Sequence, residues 1–320
     1  MWFKTLPQAN LSKQLFIMLI FWLLANLIVV GLSSLLFAIF PDFSAQYNNY
    51  INEINTLIKG LNNETDIPTQ LLEMGKEIKK SMHNNFFIGL IVMQSAFNLI
   101  NYAFLAVFLR KLFFNKLILD YQKVKIPIYI LTLLMFFAAM PILNESIKLN
   151  EYLGLNQLNF IPEDTSYTVL VTTYSLVIDS NINHQILIII CMAFIPALSE
   201  ELFFRGFLQK ILGDKLDIHL AILFASLLFS VFHFEIVAFF YRFLFGVILG
   251  YLYYFTKNLT PSILLHFINN FSSILAVNYI PNTQDLNDME QFPTSVLLFS
   301  CLSLGFIFYT LHTYHQQANK

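Results

Sequence analysis

The sequence predicts an all-α fold, a polytopic transmembrane helix bundle of about eight spans. Composition is the first observation behind that prediction. Of 320 residues, 57% are hydrophobic and 12% charged, against roughly 25% charged in a soluble domain, and the mean hydropathy is +0.63. The second is patterning, because apolar runs recur at about 20 residues, the length at which a helix crosses a bilayer. A net charge of −2 without a basic arm gives no sign of nucleic acid, so the lipid bilayer is the partner implied first. Cys191 and Cys301 each sit in an apolar run without partner spacing, which argues against a disulfide framework or a cysteine metal site.

In chain order, residues 14–40 form an apolar run that reads as a retained helix, since no small-residue cleavage site follows it. Residues 41–85 are polar. There Tyr47, Tyr50, Ile51, Ile54, Leu57, Ile58 and Leu61, then Leu71, Ile78 and Met82, recur at helical spacing. This pattern predicts an amphipathic helical hairpin outside the hydrocarbon, packed on the bundle or lying on the membrane surface. Further spans are expected at 86–109, 126–146, 186–208, 219–236, 237–255, 260–279 and 294–313. Pro127, Pro141 and Pro196 fall within or at the ends of spans, where neighbouring groups can satisfy the freed carbonyls.

Loop charge orients the chain. Lys4, Lys13, Arg110, Lys111, Lys116, Lys123, Lys125, Lys210, Lys215, Lys257 and Lys320 fall on one side by this count of spans. Glu145, Glu151, Glu163, Asp164, Asp179, Asp285, Asp288 and Glu290 fall on the other. The positive-inside rule then places both termini in the cytoplasm of a multi-pass protein, in the plasma or inner membrane if the source is bacterial.

Chemistry concentrates at Ser199-Glu200-Glu201-Leu202-Phe203-Phe204-Arg205, after the apolar run 186–198. Ionisable groups inside a span are costly and mark functional sites. Glu201 and Arg205 are i,i+4 on one helical face and can pair. Glu200 lies ~100° further round the helix, so the same arginine cannot easily neutralise it as well. One carboxylate reads as structural and the other as free for chemistry. Phe229 and His233 repeat the i,i+4 spacing, as do His266 and Asn270, and buried imidazoles and amides need partners. A single helical histidine usually marks core packing, but this whole set falls in neighbouring spans, as a site in a bundle does.

Glu200-Glu201-x-x-x-Arg205, Phe229-x-x-x-His233 and His266-x-x-x-Asn270, in that order on successive helices, resemble the CPBP family of CAAX prenyl endopeptidases and bacteriocin-processing proteins, also called Abi. HExxH, GxGD and GxSxG signatures are missing. The resemblance divides the chain into an N-terminal membrane region with its hairpin (1–185), a CPBP-like catalytic core (186–280) and a final loop, span and tail (281–320), as one integrated membrane domain. It implies intramembrane endopeptidase activity on a peptide or protein substrate. Glu200 would be the general base on a water, with His233 holding or helping to deprotonate it. His266 and Asn270 would meet the developing oxyanion, and Glu201 and Arg205 would form the anchoring pair.

No cofactor is favoured on this reading. The alternative is Zn²⁺ on Glu200, His233 and His266 with water in a fourth position. A non-proteolytic scaffold or bacteriocin-immunity-type protein of the same fold is the other class of function. Counting from expected cytoplasmic boundaries puts Glu200 and His266 ~9–15 Å deep and His233 ~21 Å deep, with the site expected to open towards the cytoplasmic half. Glu235 and Arg242 are expected in a solvated turn. Asn269 is a weaker donor candidate than Asn270, because it leaves the His266 face. The sequon-like Asn63-Glu64-Thr65 carries little without a secretory context.

Overall fold

The computed structural model describes residues 9–61, 67–115, 122–155, 163–179, 181–236, 238–279 and 292–318. Asn63-Glu64-Thr65 and the charges Lys4, Lys116, Asp285, Asp288, Glu290 and Lys320 lie outside the described residues. Every regular element among those described is a helix. In order they are α1 (Leu11–Ile39), α2 (Pro41–Lys59), α3 (Ile67–Ser81) and α4 (Asn84–Phe114). Then come α5 (Ile126–Tyr152), α6 (Glu163–Val177), α7 (Ile182–Gly213) and α8 (Ile218–Val231). The last three are α9 (Phe239–Thr256), α10 (Leu259–Tyr279) and α11 (Thr294–Ala318). Seven of these, α1, α4, α5, α7, α9, α10 and α11, are long and apolar enough to cross a membrane. The protein is therefore integral and multi-pass, and Leu27, Ile28, Phe104, Phe299 and Leu302 are among the large apolar side chains it leaves exposed, as a lipid-facing surface does.

The expected span 219–236 is shorter than its apolar run. Helix α8 has 14 residues, ~21 Å at 1.5 Å per residue, against a hydrocarbon core of ~30 Å. Side chains end it: His233 Nδ1 donates to the Phe229 carbonyl at 2.7 Å, and the Ser230 hydroxyl to the Phe239 carbonyl at 2.7 Å. Phe234 then turns the chain with φ 51, a left-handed conformation that is unusual for a bulky residue. Non-helical backbone at membrane depth persists only where protein covers it. Here Ser166 of α6 accepts from Ile236 N–H at 3.5 Å, and Asn150 of α5 accepts from Phe240 N–H at 3.4 Å.

The hairpin is present as α2 and α3, and it packs on the bundle. Tyr50, Ile54, Ile58, Leu71 and Ile78, all on the expected apolar faces, are buried. The Tyr50 hydroxyl meets Ser175 of α6 at 3.0 Å, and Lys79 Nζ lies 2.8 Å from Asp179 Oδ2 in the α6–α7 connection. At the other end of the core, α8 and α9 cross at Gly246-x-x-x-Gly250, the small-residue spacing that lets membrane helices approach closely. A Cβ on Gly250 would lie 2.8 Å from Ile222 Cγ2, and one on Gly246 would lie 3.0 Å from Ser226 Cβ. Close approach also exposes the two glycine carbonyls to α7: Arg205 donates to Gly246 O and Gln209 to Gly250 O, each at 3.0 Å.

Gly250→Ala is expected to destabilise the protein by about 1–3 kcal/mol through overpacking. Gly31→Ala, with nothing within 4 Å of the added carbon, should be neutral or stabilising, because alanine is the better helix former. Thermal melting in detergent checks both. A second expectation concerns pH. Burial opposes ionisation of Asp179, but hydrogen bonds from Lys79, the Asn181 N–H and His184 outweigh it and hold the carboxyl below its usual range. A depressed carboxylate stabilises the fold above its unfolded pKa and loses that contribution as pH falls through the folded value. Protease cleavage within 41–81 should therefore stay low from neutral pH down to about 4, the ordinary aspartate range, and rise below it. Asp179→Asn should raise it already at pH 7.

Candidate functional site

The site starts from irregularities in α7. Pro196 has no N–H to give to the preceding turn and its ring crowds the residue four before it. The helix widens into a π-type turn over Ile189–Phe194, and again over Phe204–Gln209, with a regular stretch Ile195–Phe203 between them. Carbonyls loosened in these turns find side-chain donors on other helices, as the membrane interior demands. Ser95 reaches Cys191 O at 3.4 Å, Asn270 Nδ2 reaches Ala193 O at 3.4 Å, and Arg110 donates to Gly206 O. Arg110 thus belongs to the buried face of α4 and is not the loop cation that its place in the sequence suggests.

The two glutamates between the wide turns have different surroundings, as their spacing predicts. Glu201 is fully buried, and its Oε1 accepts from Arg205 Nη1 at 2.8 Å. The same oxygen meets His266 Nδ1 at 2.9 Å. The pair expected as an anchor is therefore also the seat of a histidine. The Arg205 guanidinium lies 4.6 Å from the centroid of the Phe229 ring, within cation–π range. The His266 ring is held between Phe229 and Phe245, each at 5.6 Å and edge-on.

Glu200 is placed differently. Its Oε2 has no hydrogen-bond partner among the described residues, and it lies 3.8 Å from His233 Nε2 and 3.8 Å from His266 Nε2. Both rings are fixed from behind. A carbonyl can only accept, so His233 donates to Phe229 O from Nδ1; an ionised Glu201 likewise takes the Nδ1 proton of His266. In their neutral forms both histidines then turn a bare Nε2 towards Glu200 Oε2. Separations of 3.8 Å exceed a direct hydrogen bond and leave room between them for one bridging atom. The depth offset expected between Glu200 and His233 disappears, because α7 continues to Gly213. Glu200 is then ~20 Å from that helix end at 1.5 Å per residue.

Asn270 lies one turn beyond His266, with its amide engaged on Ala193 O. Asn269 faces elsewhere and accepts from the Tyr241 hydroxyl at 2.6 Å. Glu235 and Arg242 correct the expectation of a solvated turn. Glu235 is 1% exposed, ion-paired to Arg242, and accepts from Ala238 N–H at 3.1 Å. The cover that α6 provides over this turn has no signature in the local sequence. The supporting roles of Phe229 and Phe245 were likewise hidden among 35 phenylalanines, although the i,i+4 pairing of Phe229 with His233 was a usable signal.

As a donor set for zinc, Glu200, His233 and His266 have suitable chemistry. Metal-bound imidazoles typically give the second ring N–H to a carboxylate or carbonyl, as both do here. The spacing is wider than such a site needs, since two ligands of a tetrahedral zinc lie about 3.4 Å apart. Among the described residues no cluster of three His, Cys, Asp or Glu is arranged to hold a metal ion. Removing Arg205 would leave Glu201 buried without its cation, so Arg205→Ala should cost roughly 3–5 kcal/mol, read as a lowered melting temperature in detergent.

Residues 182–272 match the family model described as Type II CAAX prenyl endopeptidase Rce1-like. No curated protein and no solved structure matches the chain. The matched segment contains all three motifs that carry the resemblance read from the sequence, and over that segment the chain is similar to CAAX-protease-like intramembrane proteases.

Proposed function

We propose that this protein is an intramembrane endopeptidase in which Glu200, assisted by His233, activates a water against a peptide carbonyl. The observation that carries the reading is the convergence of Glu200 Oε2 with two bare imidazole nitrogens at 3.8 Å each. A water held there can give one proton to Glu200 and share the other with His233 Nε2. Its oxygen then attacks the carbonyl carbon, and the proton on Glu200 passes to the leaving amine as the C–N bond breaks. A carboxylate without a neutralising partner in a water-poor pocket is a stronger base than one in solvent. His266, held at Nδ1 by Glu201, can donate to the oxyanion from Nε2 when that nitrogen carries a proton. Asn270 joins as a second donor if substrate draws its amide from Ala193 O.

The positive-inside rule supports cytoplasmic termini, with Lys210, Lys215 and Lys257 close to the ends of α7 and α9. We retain 186–280 as the catalytic core within one membrane domain. The fixed Nδ1 protons favour a second reading, zinc held by Glu200, His233 and His266, which would supply Lewis acidity and a more acidic water.

Wild type and Glu200→Ala, matched for melting temperature, can be assayed against internally quenched peptides, farnesylated CAAX-type and unfarnesylated, with and without a chelator. The proposal expects cleavage by wild type that resists chelation and falls by at least about 10²-fold in Glu200→Ala. Loss on chelation favours the zinc reading. Equal cleavage by both proteins removes Glu200 from the chemistry, and cleavage by neither favours a scaffold or immunity role of the same fold.

A further inference from the structure

The donors around Glu200 are all engaged. Arg205 serves Glu201 and Gly246 O, His233 Nδ1 serves Phe229 O, His266 Nδ1 serves Glu201, and Asn270 serves Ala193 O. With both imidazoles neutral and Asn270 still on Ala193 O, the site turns mainly acceptors towards a substrate, whereas a peptide carbonyl in hydrolysis needs hydrogen-bond donors, and His266 and Asn270 leave room for further ones. Unengaged donors do occur on the helix opposite. The third wide turn of the molecule, Leu99–Phe104 in α4, packs against the Ile195–Phe203 stretch that carries the glutamates. On it Asn101 is fully buried, yet neither Nδ2 nor Oδ1 has a partner among the described residues.

Next to it, the Tyr102 ring lies against Phe203 and Phe204, at 5.7 and 5.8 Å, three and four residues along from Glu200. Its hydroxyl makes no hydrogen bond to any described residue. A buried amide without a partner inside a membrane helix is a costly group to keep, and a phenol there that bonds no described residue adds to it. Packing does not explain them, because leucine and phenylalanine would fill the same space without the unpaired atoms. The vacant chemistry is specific: a carboxamide, with an NH2 that donates and an oxygen that accepts, matches a peptide group, and a phenol offers a donor to a carbonyl.

We propose that Asn101 and Tyr102 complete the site from α4 by hydrogen-bonding the substrate backbone beside the bond that Glu200 addresses. The inference rests on the endopeptidase reading above and deepens it, making α4 a substrate-binding wall. The wide turn then has a purpose, since it carries Tyr102 onto Phe203 and Phe204 of α7 with Asn101 beside it, and π-type turns recur at functional sites.

The test uses Tyr102→Phe and Asn101→Leu in the full chain, with the quenched CAAX-type peptides as probes and melting temperature measured alongside. The expected result is a fall in kcat/KM of about 10–100-fold in each variant, with a melting temperature equal to wild type or higher, since each variant removes polar atoms that bond no described residue. A purely structural role cannot give that combination. Wild-type kcat/KM in both variants overturns the proposal, and so does activity that falls only in step with a lowered melting temperature. Failure of the underlying reading looks different, because Glu200→Ala would then cleave like wild type.

Discussion

One oxygen atom holds this site together. Glu201 Oε1 accepts from Arg205 on its own helix and from His266 on α10, and Arg205 in turn reaches the Gly246 carbonyl on α9. Three helices are tied through one buried carboxylate, in surroundings where an unmatched charge is severely penalised. That constraint fixes the His266 ring, and with it the direction in which its Nε2 faces. Glu200, one residue earlier, is left to face the two histidines because Glu201 takes the arginine.

Backbone irregularity works to the same end. Pro196 and the wide turns on either side of the glutamates loosen carbonyls that Ser95, Asn270 and Arg110 then satisfy from α10 and α4. Each of these contacts binds α7 to a neighbour without bringing a further charge to the Glu200 carboxyl. The early end of α8 has a parallel effect. His233 leaves the helix register just where its Nδ1 can return to the Phe229 carbonyl, and the turn that follows survives at depth because α5 and α6 cover it.

Much of this was legible in the sequence. Run length and charge content were enough for seven long spans, though not for the early end of α8 before His233, and the i,i+4 spacing separated Glu200 from Glu201. What periodicity could not reveal was contact between elements far apart in the chain. Asp179 looked like a loop charge and proves to hold Lys79 of α3. Arg110 looked cytoplasmic and is buried on Gly206. Glu235 looked solvated and lies beneath α6. In each case a charge was read by its place along the chain, whereas its partner lies many residues away. The second role of Glu201 was hidden for the same reason, since His266 is 65 residues further along.

The proposed division of work between the adjacent carboxylates gives Glu201 the fold and Glu200 the reacting water. Its most direct test is to compare the melting temperatures of Glu200→Gln and Glu201→Gln in the same detergent. The account predicts that Glu200→Gln melts at or above the wild-type temperature, because no described residue bonds its Oε2, and that Glu201→Gln melts well below it. Equal melting of the two variants, or the reverse order, would contradict it.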